Sequence, residues 1–288
     1  MTLRFATFVF AGFAALSLNA EEIRISASDL LADYISAPLN AYGEEHGTTF
    51  VIDSIGSLPA IDRLRSDEID MAIIAVPEGD SVSRDEFLVY PFAYDVAVVV
   101  VNETNPIDEI TMSHLGGIFG ANEEFNFNTW GDLGLSGWGS RTIKPLAGQS
   151  EASISLELFR YSVLKGGVMK PGVAMLKDLE VEDFLLLDAA SIAILPRLPT
   201  SSKVKTLMVS STYDSPAFGP SEDNVHYGDY PIRLPFYIAY KARNDAKMEN
   251  VLRVLFSDET AEALRENNLF ALPDTIRRKL TIDLDLEN

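Results

Sequence analysis

The chain has 288 residues, 47% of them hydrophobic and 23% charged, with no cysteine. That composition supports a folded core of about two domains and excludes disulfides, thiolate metal sites and cysteine nucleophiles. Lys and Arg number 23 against 43 Asp and Glu, and the resulting charge of −20 repels nucleic acid and anionic membranes, so an anionic ligand could be held only by short, oriented bonds.

A basic start, Met1 to Arg4, precedes an uncharged and mostly apolar run from Phe5 to Leu18, and Ala20 precedes Glu21 and Glu22. This layout predicts a cleaved secretory signal over 1–20 and a periplasmic or secreted mature protein, with an uncleaved anchor or buried first helix as the alternative. No later run of about 18 apolar residues occurs, so no membrane insertion is expected after cleavage.

Ile23 to Ser26 reads as a strand, Leu30 to Glu45 as an amphipathic helix, and Thr49 to Asp53 as a strand. Ile61 to Ser66 reads as helix, and Asp70 to Ala75 as a third strand ended by Pro77. This β-α-β-α-β order predicts an open parallel sheet covered by helices. The β-branched run Asp95 to Val101 follows, stopped by Asn102 to Pro106. A second αβ section has a helix at 113–119, a strand at 143–146, a helix at 155–164 and a strand at 191–195. An extended stretch, Ile232 to Lys241, precedes helices at 245–256 and 259–267, and Leu269 to Pro273 is expected to end the packed region.

If Val96–Val101 and Phe236–Tyr240 both cross between lobes, the ligand cleft lies between an α/β lobe I (21–100 and 229–288) and lobe II (101–228). Three turns join a strand to a helix through small polar residues: Ser26 to Leu30 (with Ser28 and Asp29), Ser54 to Ser57, and Gln149 to Ser155. Free N–H groups and the positive end of the peptide dipoles meet at such helix starts, which suits an anion. The hydroxyls of Ser57, Ser153 and Ser155 could add donors, or could simply cap their helices. Asp70 could accept the proton of a protonated oxyanion, or be a solvated strand-edge acid.

His46, His114 and His226 have no metal-ligand spacing, and P-loop, Gly-x-Ser-x-Gly and dinucleotide patterns are absent. No enzyme, metal or cofactor is therefore expected. The acid pairs Glu123–Glu124 and Glu180 with Glu182 read as solvated faces, and Trp130 and Trp138 as packing residues rather than stacking platforms.

Several segments resemble the phosphate-binding proteins of ABC importers, in the type II periplasmic binding protein superfamily. They are Ser54 to Leu64, Glu68 to Pro77, Thr111 to Phe119 with Asn128 to Leu133, Tyr230 to Tyr237, and Leu269 to Pro273. The resemblance implies a two-lobe fold with two hinge strands and a monomer that delivers phosphate or a related oxyanion to the importer's membrane subunits. It implies contacts at Ser57 and Asp70, backbone donors near Leu30, Ser57 and Ile154, and the family's arginine and Gly-Ser-Gly-Thr loop on Gln149 to Ser155. There Ser153 matches the serine and Ser155 stands in for the threonine. Gln149 replaces the arginine, Ala152 and Ile154 replace glycines, and Leu30 replaces a hydroxyl residue, which removes a bidentate cation and restricts close backbone approach. These departures leave an alternative: an interaction or sensory protein that kept the fold and lost the ligand site.

Overall fold

The computed structural model describes residues 21–121, 126–151 and 153–286. The expected signal segment, Ala152 and the pair Glu123–Glu124 lie outside them. Among the described residues, no helix is long and apolar enough to cross a membrane.

In the first lobe, β1 (Glu21–Ala27) pairs in parallel with β2 (Thr48–Ser54) and β3 (Met71–Ala75). Period-two alternation explains how this sheet is covered on both faces. Met71 and Ile73 point into the core shared with α1 (Ala32–His46), while Ala72 and Ile74 point to the opposite face, where α2 (Ser57–Arg65) packs through Ala60 and Leu64. Leu31, capping the start of α1, and Ile35 and Leu39 on it recur at helical spacing and are fully buried. The helix α2 starts without a side-chain cap, has Pro59 in its first turn, where a missing N–H costs nothing, and gives way to Asp67 at φ 62.

The sheet is mixed rather than wholly parallel. Its order is β13-β4-β12-β3-β1-β2, where β4 is Leu88–Val96, β12 is Arg233–Tyr240 and β13 is Phe270–Ala271. The strand β12 runs antiparallel to both β3 and β4 along its length, so Phe236–Tyr240 is an interior strand and does not cross between lobes. The crossing is at Ala97, whose N–H donates to Ile232 C=O (3.1 Å) and whose carbonyl accepts from Tyr230 O–H (2.8 Å). The next strand, β5 (Val98–Asn102), already belongs to the second sheet. The chain therefore passes from the first sheet to the second at Ala97.

The second sheet has the order β10-β5-β9-β7-β8, with β7 at Lys144–Gln149, β8 at Ala174–Lys177, β9 at Ser191–Leu195 and β10 at Val204–Thr206. A small parallel pair, β6 (Glu109–Thr111) with β11 (Met208–Ser210), leads into α3 (Met112–Phe119). The helices α4 (Ser155–Ser162) and α5 (Asp178–Leu187) cover the larger sheet. Trp130 is fully buried and donates through Nε1 to Ala190 C=O (3.1 Å), so it is a core residue. Glu182 is buried too, correcting its reading as a solvated acid: it takes Arg197 at 2.6 Å and the N–H groups of Thr200 and Ser201.

The helix α6 (Glu222–Tyr227) is ion-paired through Glu222 to Arg265 of α8 (Asp258–Glu266), so it joins the first lobe instead of ending the second. The helix α7 (Asp245–Leu255) and α8 pack on α1. The packed region continues past Pro273 into α9 (Asp274–Leu286), where Arg277 is buried and bonded to Phe256 C=O and Asp258.

Candidate functional site

The parallel strands β1, β2 and β3 all end on one side of the first sheet, and their turns rise beside the hinge. A cleft of about 830 Å³ opens there between the lobes. Its first-lobe wall includes Ser57, Leu58, Ile61 and Val76, and its second-lobe wall includes Ile154, Glu157, Leu158 and Tyr161. Arg233 and Leu234 supply the hinge side. A second cavity of about 870 Å³ shares Glu78, Ser162 and Arg233 with it.

Of the expected contacts, Ser57 and Ile154 line this cleft together, one from each lobe. Ser57 Oγ accepts from Ala75 N–H (3.0 Å), which fixes the side chain and leaves its own proton to donate outward. The first amides of α2 have no intrahelical acceptor and no side-chain cap.

The other expected contacts are placed differently. Ser28 is buried: its N–H donates to Ile73 C=O (2.8 Å), and its Oγ donates to Asp29 and accepts from Leu30 N–H, so the first turn closes on itself. Asp70 precedes β3 at the opposite end of the parallel strands from Ser57. Its carboxylate accepts from Arg24 N–H (2.9 Å) and pairs with Lys247 (3.1 Å). It anchors strand ends and cannot reach the cleft, which corrects its assignment as a ligand contact. Gln149 ends β7 as an exposed residue paired in register with Lys177.

The loop before α4 holds an anion already, and it is internal. Asp95, near the end of β4, is 1% exposed. Its carboxylate accepts from Ser153 Oγ (3.2 Å), Ile154 N–H (3.2 Å) and Val96 N–H (2.8 Å), while Ser155 N–H donates to Ser153 Oγ (3.0 Å). The donors expected to meet a ligand meet Asp95 instead. Burial pushes its carboxyl up to about 6 even though these hydrogen bonds favour the ionised form.

Two arginines line the cleft. Arg65 is neutralised by Glu86 (2.8 Å) and Asp62 (3.3 Å). Arg233 forms no ion pair among the described residues. Its Nη1 donates to the carbonyls of Val225 (2.5 Å) and His226 (2.9 Å), and its guanidinium lies 5.5 Å from the centroid of the Tyr94 ring. Tyr94 Oη and His226 Nδ1 share a hydrogen bond at 2.8 Å; burial lowers the histidine's pKa and pushes the phenol up to about 12, so the pair is neutral. Gly228, at φ 86, ends α6, and a Cβ there would come 2.9 Å from Arg233 Nη2. Only glycine allows both the left-handed turn and the close approach of the guanidinium.

Asp95 and Arg233 escaped the reading of the sequence, although each is a lone charge in an apolar setting: Tyr94-Asp95-Val96 heads the valine run, and Arg233 stands between Ile232 and Leu234. The cleft also carries Glu78, Asp80 and Glu157. An anion must therefore be held by contact rather than by long-range attraction.

The phosphate-binding protein PstS of Pseudomonas aeruginosa is 25% identical over 206 residues, which cover 68% of this chain and 64% of that protein's own length. Two solved structures share the fold. PstS from Borrelia burgdorferi has a TM-score of 0.71 at 17% identity, covering 88% of this chain and 99% of that one. An ABC-type phosphate transport receptor from Vibrio cholerae has a TM-score of 0.62 at 19% identity, covering 87% and 100%. The family model described as a PBP superfamily domain matches residues 14–259. The chain belongs to the PBP superfamily and has the type II periplasmic binding protein fold.

Proposed function

We propose that this chain is a non-catalytic receptor, working in the periplasm or outside the cell. It binds an oxyanion in the interlobe cleft and passes it to the membrane subunits of an ABC importer. Arg233 carries the reading: a guanidinium with no ion pair among the described residues faces the same cleft as the uncapped start of α2 and the Ser57 hydroxyl. An unneutralised cation beside oriented N–H and O–H donors matches an oxyanion's acceptors. The distant relative named for phosphate binding supports the same class. The grip is lopsided, with first-lobe and hinge donors on the anion and the second-lobe loop committed to Asp95.

Isothermal titration with phosphate, sulfate and molybdate tests this. Heat with at least one anion is expected, with a loss of tenfold or more in Arg233→Gln. No heat and no thermal shift with any of these or with an alkylphosphonate overturns the reading. The Asp95 carboxylate bonded to the second-lobe loop favours the alternative of a sensory or assembly protein without a small ligand, and the same negative result together with a co-purifying protein partner would support it.

A further inference from the structure

We infer that the ligand is an organic oxyanion with an apolar body, such as an alkyl or aryl phosphonate or phosphate monoester, rather than an inorganic ion; this rests on the receptor reading above. The cleft volume of about 830 Å³ falls in the size class of organic-ligand pockets, and the five heavy atoms of an inorganic oxyanion would fill only a small part of it.

Two helix faces oppose each other across that space. On α2, Leu58 and Ile61 stand three residues apart; at α4, Ile154, Leu158 and Tyr161 fall at i, i+4 and i+7, so they line one side of the helix. Leu58 is 81% exposed and Tyr161 54% exposed. Single exposed apolar side chains need no explanation, but a facing pair of apolar rows in a cleft between two lobes marks a binding surface.

The second-lobe loop's donors at Ser153 and Ile154 are already bonded to Asp95, so beside Glu157 and Ser162 what that lobe offers a ligand is the apolar row. A charged head at Arg233 and Ser57 with a body between Leu58 and Tyr161 uses both features. A wholly polar ion would leave the apolar rows in water.

The test is titration of the purified protein with inorganic phosphate, methylphosphonate, butylphosphonate, hexylphosphonate and 1-hexanol. Affinity should rise about fourfold per methylene while the tail is being buried, which is about sixtyfold from methyl to butyl. Leu58→Ser and Tyr161→Ser change exposed side chains, so folding is kept. They should flatten the alkyl series, weakening hexylphosphonate far more than inorganic phosphate.

A flat series in a protein that binds phosphate overturns this inference and leaves the receptor reading standing. Serine variants that weaken phosphate as much as hexylphosphonate also overturn it, because the apolar rows would then serve lobe closure alone. If 1-hexanol binds as tightly as hexylphosphonate, the apolar site stands and the oxyanion reading falls. If none of the five binds, both fall.

Discussion

Lowering the pH through 6 should protonate Asp95, and the response of stability can be worked out from its surroundings. The carboxyl titrates at about 6 in the folded chain against 3.8 as its ordinary value, because burial penalises the charge more than the donors from Ser153, Ile154 and Val96 favour it. The folded state therefore holds the proton more tightly than the unfolded state does. The associated stability is full below pH 3.8 and is lost as the pH rises through 6. At about 1.36 kcal/mol per tenfold change in proton affinity, the ionised group costs about 3 kcal/mol at pH 8, and about 2.5 kcal/mol of that returns by pH 4. Other carboxylates held below their usual range, including Asp53 and Asp188, weaken the fold at the acid end of that window. The comparison must therefore be made with Asp95→Asn, which cannot ionise and whose altered hydrogen bonding contributes a constant offset. Urea unfolding at pH 4, 5, 6, 7 and 8 should show wild type gaining about 2–3 kcal/mol on the variant between pH 8 and pH 4. Parallel curves for the two proteins would refute the argument that Asp95 is a strained, buried anion.

Arg197→Ala should cost about 3–5 kcal/mol in the same unfolding assay, because it strands the buried Glu182 carboxylate that also holds the turn at Thr200 and Ser201. Asp70→Asn should lower stability by about 1 kcal/mol through its lost pairing with Lys247, and calorimetry should find anion affinity and selectivity unchanged, since the side chain sits at the far end of β3. Gly228→Ala should strain the left-handed end of α6 and displace Arg233, destabilising the fold by about 1 kcal/mol and weakening anion binding at least fivefold in the same titration.

The opening of the first lobe was legible in the sequence, whereas β4 was read only from Asp95 onward, because Leu88 to Tyr94 carries no clean period. Glu21–Ala27, Thr48–Ser54 and Met71–Ala75 were readable as strands because helices and turn residues separate them cleanly. The valine run hid a boundary: Asp95 to Val101 looks like one strand, yet it ends β4, crosses at Ala97 and begins β5, because apolar content cannot tell which sheet a residue joins. The short strands β6, β8, β10 and β11 are three or four residues long, too brief for any period to register.

The site was less legible. Helix-start turns at Ser57 and Ile154 announce themselves by small polar residues and position, and both reach the cleft. Asp70 failed because adjacency along the chain to an apolar strand does not say which end of that strand faces the ligand. Ser153 failed for a different reason: its partner, Asp95, is 58 residues away, and only the hinge brings the two together. Arg233 owes its place to the carbonyls of α6 and to the gap left by Gly228, neither of which a local motif reveals.

Diffraction from crystals grown with phenylarsonate would locate the bound anion itself, because arsenic scatters anomalously and reports the position of the anionic head. A single strong peak is expected in the interlobe cleft, within hydrogen-bonding reach of Ser57 Oγ and the Arg233 guanidinium, with the phenyl ring between Leu58 and Tyr161. An arsenic peak elsewhere on the surface, or none in a cleft left open to solvent, would contradict it.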